Sequence, residues 1–332
     1  MLLAILLGTS GCASISEKVN QLIEKPAPTN VLSGREGQNG PVLVVKIDDT
    51  QYARPQVGLE FADVVYIEQV EGGLTRLAAV FSSTIPPRIG PVRSARITDI
   101  DLLAQYGQVA FAYSGAQRKL LPVIASAKLS DVGAMRRGPA FYETDLTRVQ
   151  PYAMFLNAQA LMTNEATKGT VIDSAKSVGW NFSKLAENEG FEISKVEFRW
   201  PAQKYSAQWN EQEKRWYLNF NSTPNVSDLG KNLGPTTLVI QLVSITPSEY
   251  GDKFGGITPF SETVGSGKGY VLRDGIAIAA TWNRPAASLP TTWTDASGKE
   301  VKFAPGQVWV ALTDKEPEFT RKIASAATAT SK

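Results

Sequence analysis

The stretch Pro41-Val42-Leu43-Val44-Val45-Lys46-Ile47-Asp48 decides how this chain is read. Its apolar run from Val42 to Ile47 is rich in β-branched residues and too short for a globular helix, so it reads as a strand. Val64 to Val70 and Leu77 to Phe81 repeat the pattern. Helical spacing then appears after Ser94, at Ile97, Ile100, Leu103 and Ala104. A strand from Val109 to Tyr113 precedes a helix from about Gln117 to Ala125, and Asn157 suits the N-cap of a helix through Ala166. Strands interleaved with helices predict an α/β arrangement for this half.

Past residue 190 the pattern becomes strand and turn. Val196 to Trp200, Tyr205 to Trp209, Arg215 to Phe220 and Thr237 to Ile245 read as strands, as do Gly269 to Leu272 and Ile276 to Trp282 around an Asp274-Gly275 turn. Pro305-Gly306 turns the chain into Val308 to Leu312. At 332 residues and 43% hydrophobic content, the chain is long enough for two cores. The predicted class is mixed α+β: an N-terminal α/β domain over residues 41–190, then a smaller β-rich domain over residues 191–319 and a flexible tail over residues 320–332. Trp200, Trp209, Trp216, Trp282, Trp293 and Trp309 admit a sugar-stacking role, but core and cross-strand packing is the favoured expectation.

The N-terminus has its own logic. Leu2-Leu3-Ala4-Ile5-Leu6-Leu7 is followed by Gly8, Thr9, Ser10, Gly11 and the single cysteine, Cys12. That is the shape of a secretory signal, residues 1–12, ending at a cysteine that is lipidated. No Lys or Arg precedes the run, and Thr9 stands where leucine is more usual. The plainer alternative is a buried N-terminal segment with an inert cysteine. Residues 13–40 read as tether and linker, because Pro26, Pro28, Gly34, Gly37 and Gly40 break any periodicity. No other stretch approaches the ~20 apolar residues of a membrane span. The expected location is extracytoplasmic, on the cell membrane through an N-terminal lipid.

Histidine is absent, which removes Ser-His-Asp and Cys-His mechanisms and the commonest zinc ligand. Neither a metal nor a cofactor is expected. Lys+Arg 34 against Asp+Glu 32 leaves +2, so no global field favours nucleic acid, and charge-based recognition must be local. The local feature is Pro86-Pro87-Arg88-Ile89-Gly90-Pro91-Val92-Arg93-Ser94-Ala95-Arg96. A helix beginning near Ser94 places Arg93 and Arg96 at its first turn, where cations are unfavourable unless an anion offsets them. Arg88, Arg93, Ser94 and Arg96 are thus a candidate anion site. The competing possibility is an internal network in which Asp63, Glu68 and Glu71 pair with these arginines, with Arg54 and Arg76 beside them. Glu68 and Glu71, three apart, point to opposite faces of a continuous strand unless Gly72-Gly73 re-aims the second. Gly265-Ser266-Gly267-Lys268-Gly269 lacks P-loop spacing and reads as a hairpin connection.

Several short motifs also carry a resemblance. Lys46-Ile47-Asp48, Ala53-Arg54-Pro55-Gln56, Ala62-Asp63-Val64-Val65-Tyr66, Val70-Glu71-Gly72-Gly73-Leu74-Thr75-Arg76 and Gly90-Pro91-Val92-Arg93-Ser94-Ala95-Arg96 resemble the N-terminal part of the YerB-like lipoproteins. Gly265-Ser266-Gly267, Asp274-Gly275, Thr281-Trp282 and Pro305-Gly306-Gln307-Val308-Trp309-Val310 resemble the family's C-terminal domain in order and spacing. Pro151-Tyr152-Ala153 departs from the Pro-His-Asn-like step expected there. The resemblance implies a secreted, membrane-anchored, two-domain bacterial envelope protein and supplies no reaction. The functional expectation is therefore a non-catalytic envelope module. It binds an anionic ligand through the arginine cluster, with a cell-wall polymer or an envelope protein as partner. The alternative is a carboxylate-dependent hydrolase of cell-wall glycan.

Overall fold

The opening stretch forms strand β1 (Leu43–Asp48), in which every residue is buried. Side chains alternate across a strand. Leu43, Val45 and Ile47 enter one apolar cluster, while Val42 and Val44 enter another on the opposite face. Both faces of the sheet are therefore covered, which is why the sequence shows no apolar–polar alternation here. The computed structural model describes residues 27–252 and 255–322. The expected signal, Cys12 and the last residues of the tail lie outside the described residues. Near the start of the described part, Leu32 and Ser33 are buried.

β2 (Val64–Gln69) and β1 both pair antiparallel with β3 (Thr75–Phe81), and β4 (Val109–Ala112) and β5 (Leu129–Asp131) extend the sheet in parallel beyond β1. The second half supplies β6 (Phe191–Arg199), β7 (Lys204–Asn210), β8 (Arg215–Phe220), β9 (Thr237–Leu242), β10 (Gly265–Arg273), β11 (Ile276–Arg284) and β12 (Val308–Thr313). With three short strands they form a single 15-stranded sheet among the described residues. Its long strands run β8-β7-β6-β11-β10-β9-β12-β2-β3-β1-β4-β5. The seam is β12, which pairs in parallel with β2 from Val308↔Val64 to Ala311↔Ile67 and with β9 on its other side.

The expected N-terminal α/β domain is not what forms. The described residues are 42% strand and 13% helix, dominated by one large mixed sheet. The α-helices among the described residues are short: α1 (Thr98–Ala104), α2 (Leu121–Ser126), α3 (Ala134–Arg137) and α4 (Ala158–Thr167). The physical reason lies in β1, β2 and β3, which pair antiparallel and so need no helical crossover. The glycine-rich run Gly265–Gly269 is part of strand β10 rather than a connection. Five of the six singled-out tryptophans are buried and Trp209 packs against the core, so packing accounts for them. Their indole nitrogens show the same, with Trp200 donating to the Leu312 carbonyl and Trp309 to Gln307.

Candidate anion-binding site

The register of the first three strands sets the site. Asp48 on β1 and Glu68 on β2 both stand opposite Arg76 on β3, so three ionisable side chains form one row where the apolar core ends. One step inward, Lys46 is fully buried and makes ion pairs with both Glu68 and Asp99, the second at 2.8 Å. Burial, with the Asp99 carboxylate close by, pushes the Glu68 pKa up to about 7 against the opposing pull of Lys46.

Helix α1 begins at Thr98 rather than near Ser94, so Arg93 and Arg96 precede it. The segment Pro91–Ile97 lies across the end of β1 instead. Asp48 donates its amide to the Pro91 carbonyl, Arg93 donates its amide to Lys46, and Ala95 donates to Gly115. Backbone amides spent on β1 and on the loop after β4 cannot start a helix. The first turn of α1 holds Asp99 and Asp101, the ordinary charge for a helix start. The Asp99 carboxylate also accepts the Arg96 amide at 2.7 Å.

The side chains of this segment project into a cavity of about 700 Å³ shared with the end of β3, the loop before α2 and the hairpin Ile245–Ser261. Its wall carries four guanidinium groups, those of Arg76, Arg93, Arg96 and Arg118. Arg96 donates Nε and Nη2 to Oε2 of Glu71 at 3.0 and 2.6 Å. Glu71 also accepts from the Thr258 hydroxyl. Burial pushes the Glu71 carboxyl up, but Arg96 and Thr258 outweigh it, and the net shift is downward. Positive φ at Gly72 and Gly73, 68° and 71°, closes the 3₁₀ turn Glu71–Gly73 that ends β2 and aims Glu71 at Arg96. Arg93 Nε lies 2.6 Å from Asp48 Oδ2, an ion-pair contact whose N–H is not aligned as a hydrogen bond.

Arg76 differs from these two. It is 8% exposed, and it donates Nη1 to the Ser94 carbonyl at 3.1 Å. It makes no ion pair with a carboxylate among the described residues. Burial first, then Arg96 and Arg93, push its pKa down to about 9. A guanidinium holds its proton at neutral pH regardless, so this appears as a stability cost rather than a lost charge. Arg118 is exposed at the rim and has no partner among the described residues.

The structure therefore brings together Arg93, Arg96, Glu71, Arg76 and the carbonyl of Ser94. It does not bring the others. Arg88 turns away on the strand Arg88–Ile89, pairs with Glu143 and Asp145 at 2.6 and 2.9 Å, and lies over the Phe155 ring. Asp63 accepts from Ser33, Ser83 and the amides of Ser82 and Ser83, with Arg35 at 3.6 Å. Arg54 is bound to Asp49, Asn225 and Tyr205 in a separate buried network. Lys46, Asp48, Asp99, Arg118 and Thr258 were not singled out from sequence. Lys46 alone left a signal, as a charge inside an apolar strand.

Fold and site together describe a sheet-dominated protein with an arginine-lined cavity where its central strands end. Residues 28–171 match the family described as "Protein of unknown function (DUF3048) N-terminal domain", and residues 195–310 match the corresponding C-terminal domain. The chain belongs to this family, as the motif resemblance implied. A relative named "Putative lipoprotein YerB", from Bacillus subtilis (strain 168), is 23% identical over 274 residues, 81% of this chain and 80% of the relative. The crystal structure of YerB protein from Bacillus subtilis matches with a TM-score of 0.76 at 18% identity, covering 89% of this chain and 100% of that one. At that identity the likeness shows a shared fold.

Proposed function

We propose that this protein is an extracytoplasmic lipoprotein, held to the cell membrane by a lipid on Cys12, whose arginine cavity binds an anionic component of the wall or envelope. The relative's name and the apolar run ending at Cys12 support the anchor. Replacing Cys12 by serine should move the protein from the membrane fraction to the soluble fraction. A Cys12→Ser variant that fractionates with membranes as the parent does refutes the anchor.

One observation carries the binding reading: Arg76 is a buried cation with no carboxylate in ion-pair contact among the described residues, only the longer-range pull of Asp48 and Glu71, and it is set among three more guanidinium groups. Like charges gathered in a partly desolvated cavity are stabilised by an anion, and guanidinium groups grip oxyanions with paired hydrogen bonds. The hydrolase alternative needs a carboxylic acid that keeps its proton near neutral pH. Glu71, a cavity carboxylate paired with Arg96, is shifted the other way, and Glu68, which is pushed up to about 7, is fully buried and outside the cavity lining.

Arg118 gives a clean test because it is exposed and has no partner among the described residues, so its loss leaves the fold within about 0.5 kcal/mol of the parent. Arg118→Ala should weaken binding of inorganic phosphate and of isolated wall material about tenfold, as measured by calorimetric titration. Unchanged affinity for both sinks the reading.

A further inference from the structure

Resting on the anchor at Cys12, and independent of the arginine cavity, we infer that an apolar face made by three adjoining turns docks on the lipid surface of the membrane that tethers the chain. The first is the 3₁₀ turn Gln51–Ala53, which carries Tyr52. The second is closed by the Arg148 amide on the Asp145 carbonyl and carries Leu146, with Val149 just after it. Arg148 fastens the second turn to the first, donating to the carbonyls of Ala53 and Pro55 at 3.0 and 2.8 Å. Tyr152 packs on Tyr52, with 5.6 Å between ring centroids. The third turn is closed by the Gly230 amide on the Ser227 carbonyl and carries Leu229; a bridge between Gln56 and Ser227 joins it to the first.

Turns ordinarily hold Gly, Pro, Asn, Asp and Ser, so apolar residues on three neighbouring ones need a reason. Leu146 and Val149 are 93% and 76% exposed, the most exposed large apolar side chains among the described residues, and Tyr52 and Leu229 follow at 75% and 62%. Such side chains scattered singly would mean nothing. Held together on joined turns, they form the kind of patch that marks an interaction surface.

Two observations choose lipid as the occupant. The apolar groups stand on turns, and a fluid interface yields around projecting side chains, whereas a folded partner must supply a matched pocket for each; a tyrosine among them suits the boundary between lipid and water. The second is reach. The described chain starts at Ala27, and residues 13–26 span at most about 50 Å when fully extended, of the same order as the diameter of a body this size, so the patch stays within reach of the bilayer. The six charges on these loops, Asp49, Arg54, Asp145, Arg148, Asp228 and Lys231, are three of each sign. The face thus has no cationic field for anionic headgroups, and its attraction is apolar. Alone it holds weakly. A short tether supplies an effective concentration of millimolar order, so the anchored chain stays docked while the Cys12→Ser chain leaves the membrane.

The test uses the full-length Cys12→Ser chain with phosphatidylcholine vesicles at millimolar lipid, read by co-sedimentation. The bound fraction should rise with lipid and hold when salt is raised. Leu146→Asp and Val149→Asp should each weaken partitioning about tenfold. Neither should shift the melting temperature, since both side chains are exposed. Leu185→Asp, at a residue 75% exposed on a separate loop, should leave partitioning unchanged. Partitioning that survives both patch substitutions, or that Leu185→Asp weakens equally, overturns the assignment of this face. Partitioning that salt abolishes overturns its apolar origin. A chain that dimerises in solution and loses the dimer with Leu146→Asp puts a second copy on the face in place of lipid. A Cys12→Ser chain that leaves the cell membrane yet ignores vesicles overturns this inference and spares the anchor. Parent and Cys12→Ser chains that fractionate alike from cells overturn the anchor and take this inference with it.

Discussion

Replacing Arg76 by methionine should raise the melting temperature and abolish phosphate binding in the same variant. The two effects have one cause. Arg76 lies on β3 between Asp48 and Glu68, but those carboxylates are engaged by Arg93 and Lys46, leaving Arg76 only the Ser94 carbonyl. Burial and the two neighbouring guanidinium groups disfavour its charged form, and nothing in the described protein offsets them fully. Methionine keeps the apolar stem and removes the charge. Replacing buried ionic groups by hydrophobic ones of similar volume stabilises by about 1–4 kcal/mol, and the same range is expected here. In the parent, saturating phosphate should do by binding what the substitution does by deletion: at a hundred times its dissociation constant it adds about 2.7 kcal/mol. Thermal melts of parent and Arg76→Met, each with and without phosphate, give four numbers. Parent raised by phosphate and variant raised by substitution but blind to phosphate is the expected set. A variant less stable than the parent by more than ~1 kcal/mol would make Arg76 an internal strut and leave the cavity without its reason to hold an anion.

The strands were legible because their signal is local. Arg215–Phe220 forms as read, and β1, β2, β3, β7, β11 and β12 depart from the read limits by no more than a residue or two at each end. What the runs do not encode is which strands meet. The α/β reading rested on strands and helices interleaved along the chain, which leaves the pairing open. Yet Asp48↔Arg76 and Glu68↔Arg76 pair antiparallel within the chain's first third, and β2 finds its parallel neighbour in β12, near the other end. The site was partly legible for a similar reason. Arg93, Arg96 and Glu71 stood out through arginine density and the Gly72-Gly73 turn, both local features. Arg88, equally close in sequence, pairs with a different sheet and leaves the cluster. The helix start was misplaced because apolar spacing at Ile97, Ile100 and Leu103 says where a helix runs. It does not say that the amides before it bridge to β1. Arg118 left no trace, since a lone exposed arginine looks like any other until a cavity stands beside it.

The largest loss of stability should follow from replacing Lys46 by methionine, and its size should depend on pH in a stated direction. Lys46 is the single cation between Glu68 and Asp99, all three fully buried, with Arg96 contributing only a weaker pull on Glu68. Removing it strands two carboxylates, and a broken buried pair costs about 3–5 kcal/mol. Glu68 takes up a proton as pH falls, so the cost should shrink with it. The parent obeys the same rule in milder form. Glu68 has a folded pKa of about 7 against 4.5 for an ordinary glutamate, so the folded state retains a proton that the unfolded chain releases. Stability is then greatest below pH 4.5, falls as pH rises through 7, and is flat beyond. The span is about 3 kcal/mol for this group. Other groups pull both ways: burial raises Asp49, while Arg137 holds Glu165 down to about 2. The informative quantity is therefore the difference between the parent and Glu68→Gln, which keeps the shape and the Lys46–Asp99 pair but cannot titrate. Urea unfolding at pH 5 and pH 8 should show Glu68→Gln gaining on the parent at pH 8 and losing most of that gain at pH 5. If the two proteins instead differ equally at both values, and Lys46→Met costs under ~1 kcal/mol, the row of charges beneath the arginine cavity is solvated and carries no pH dependence.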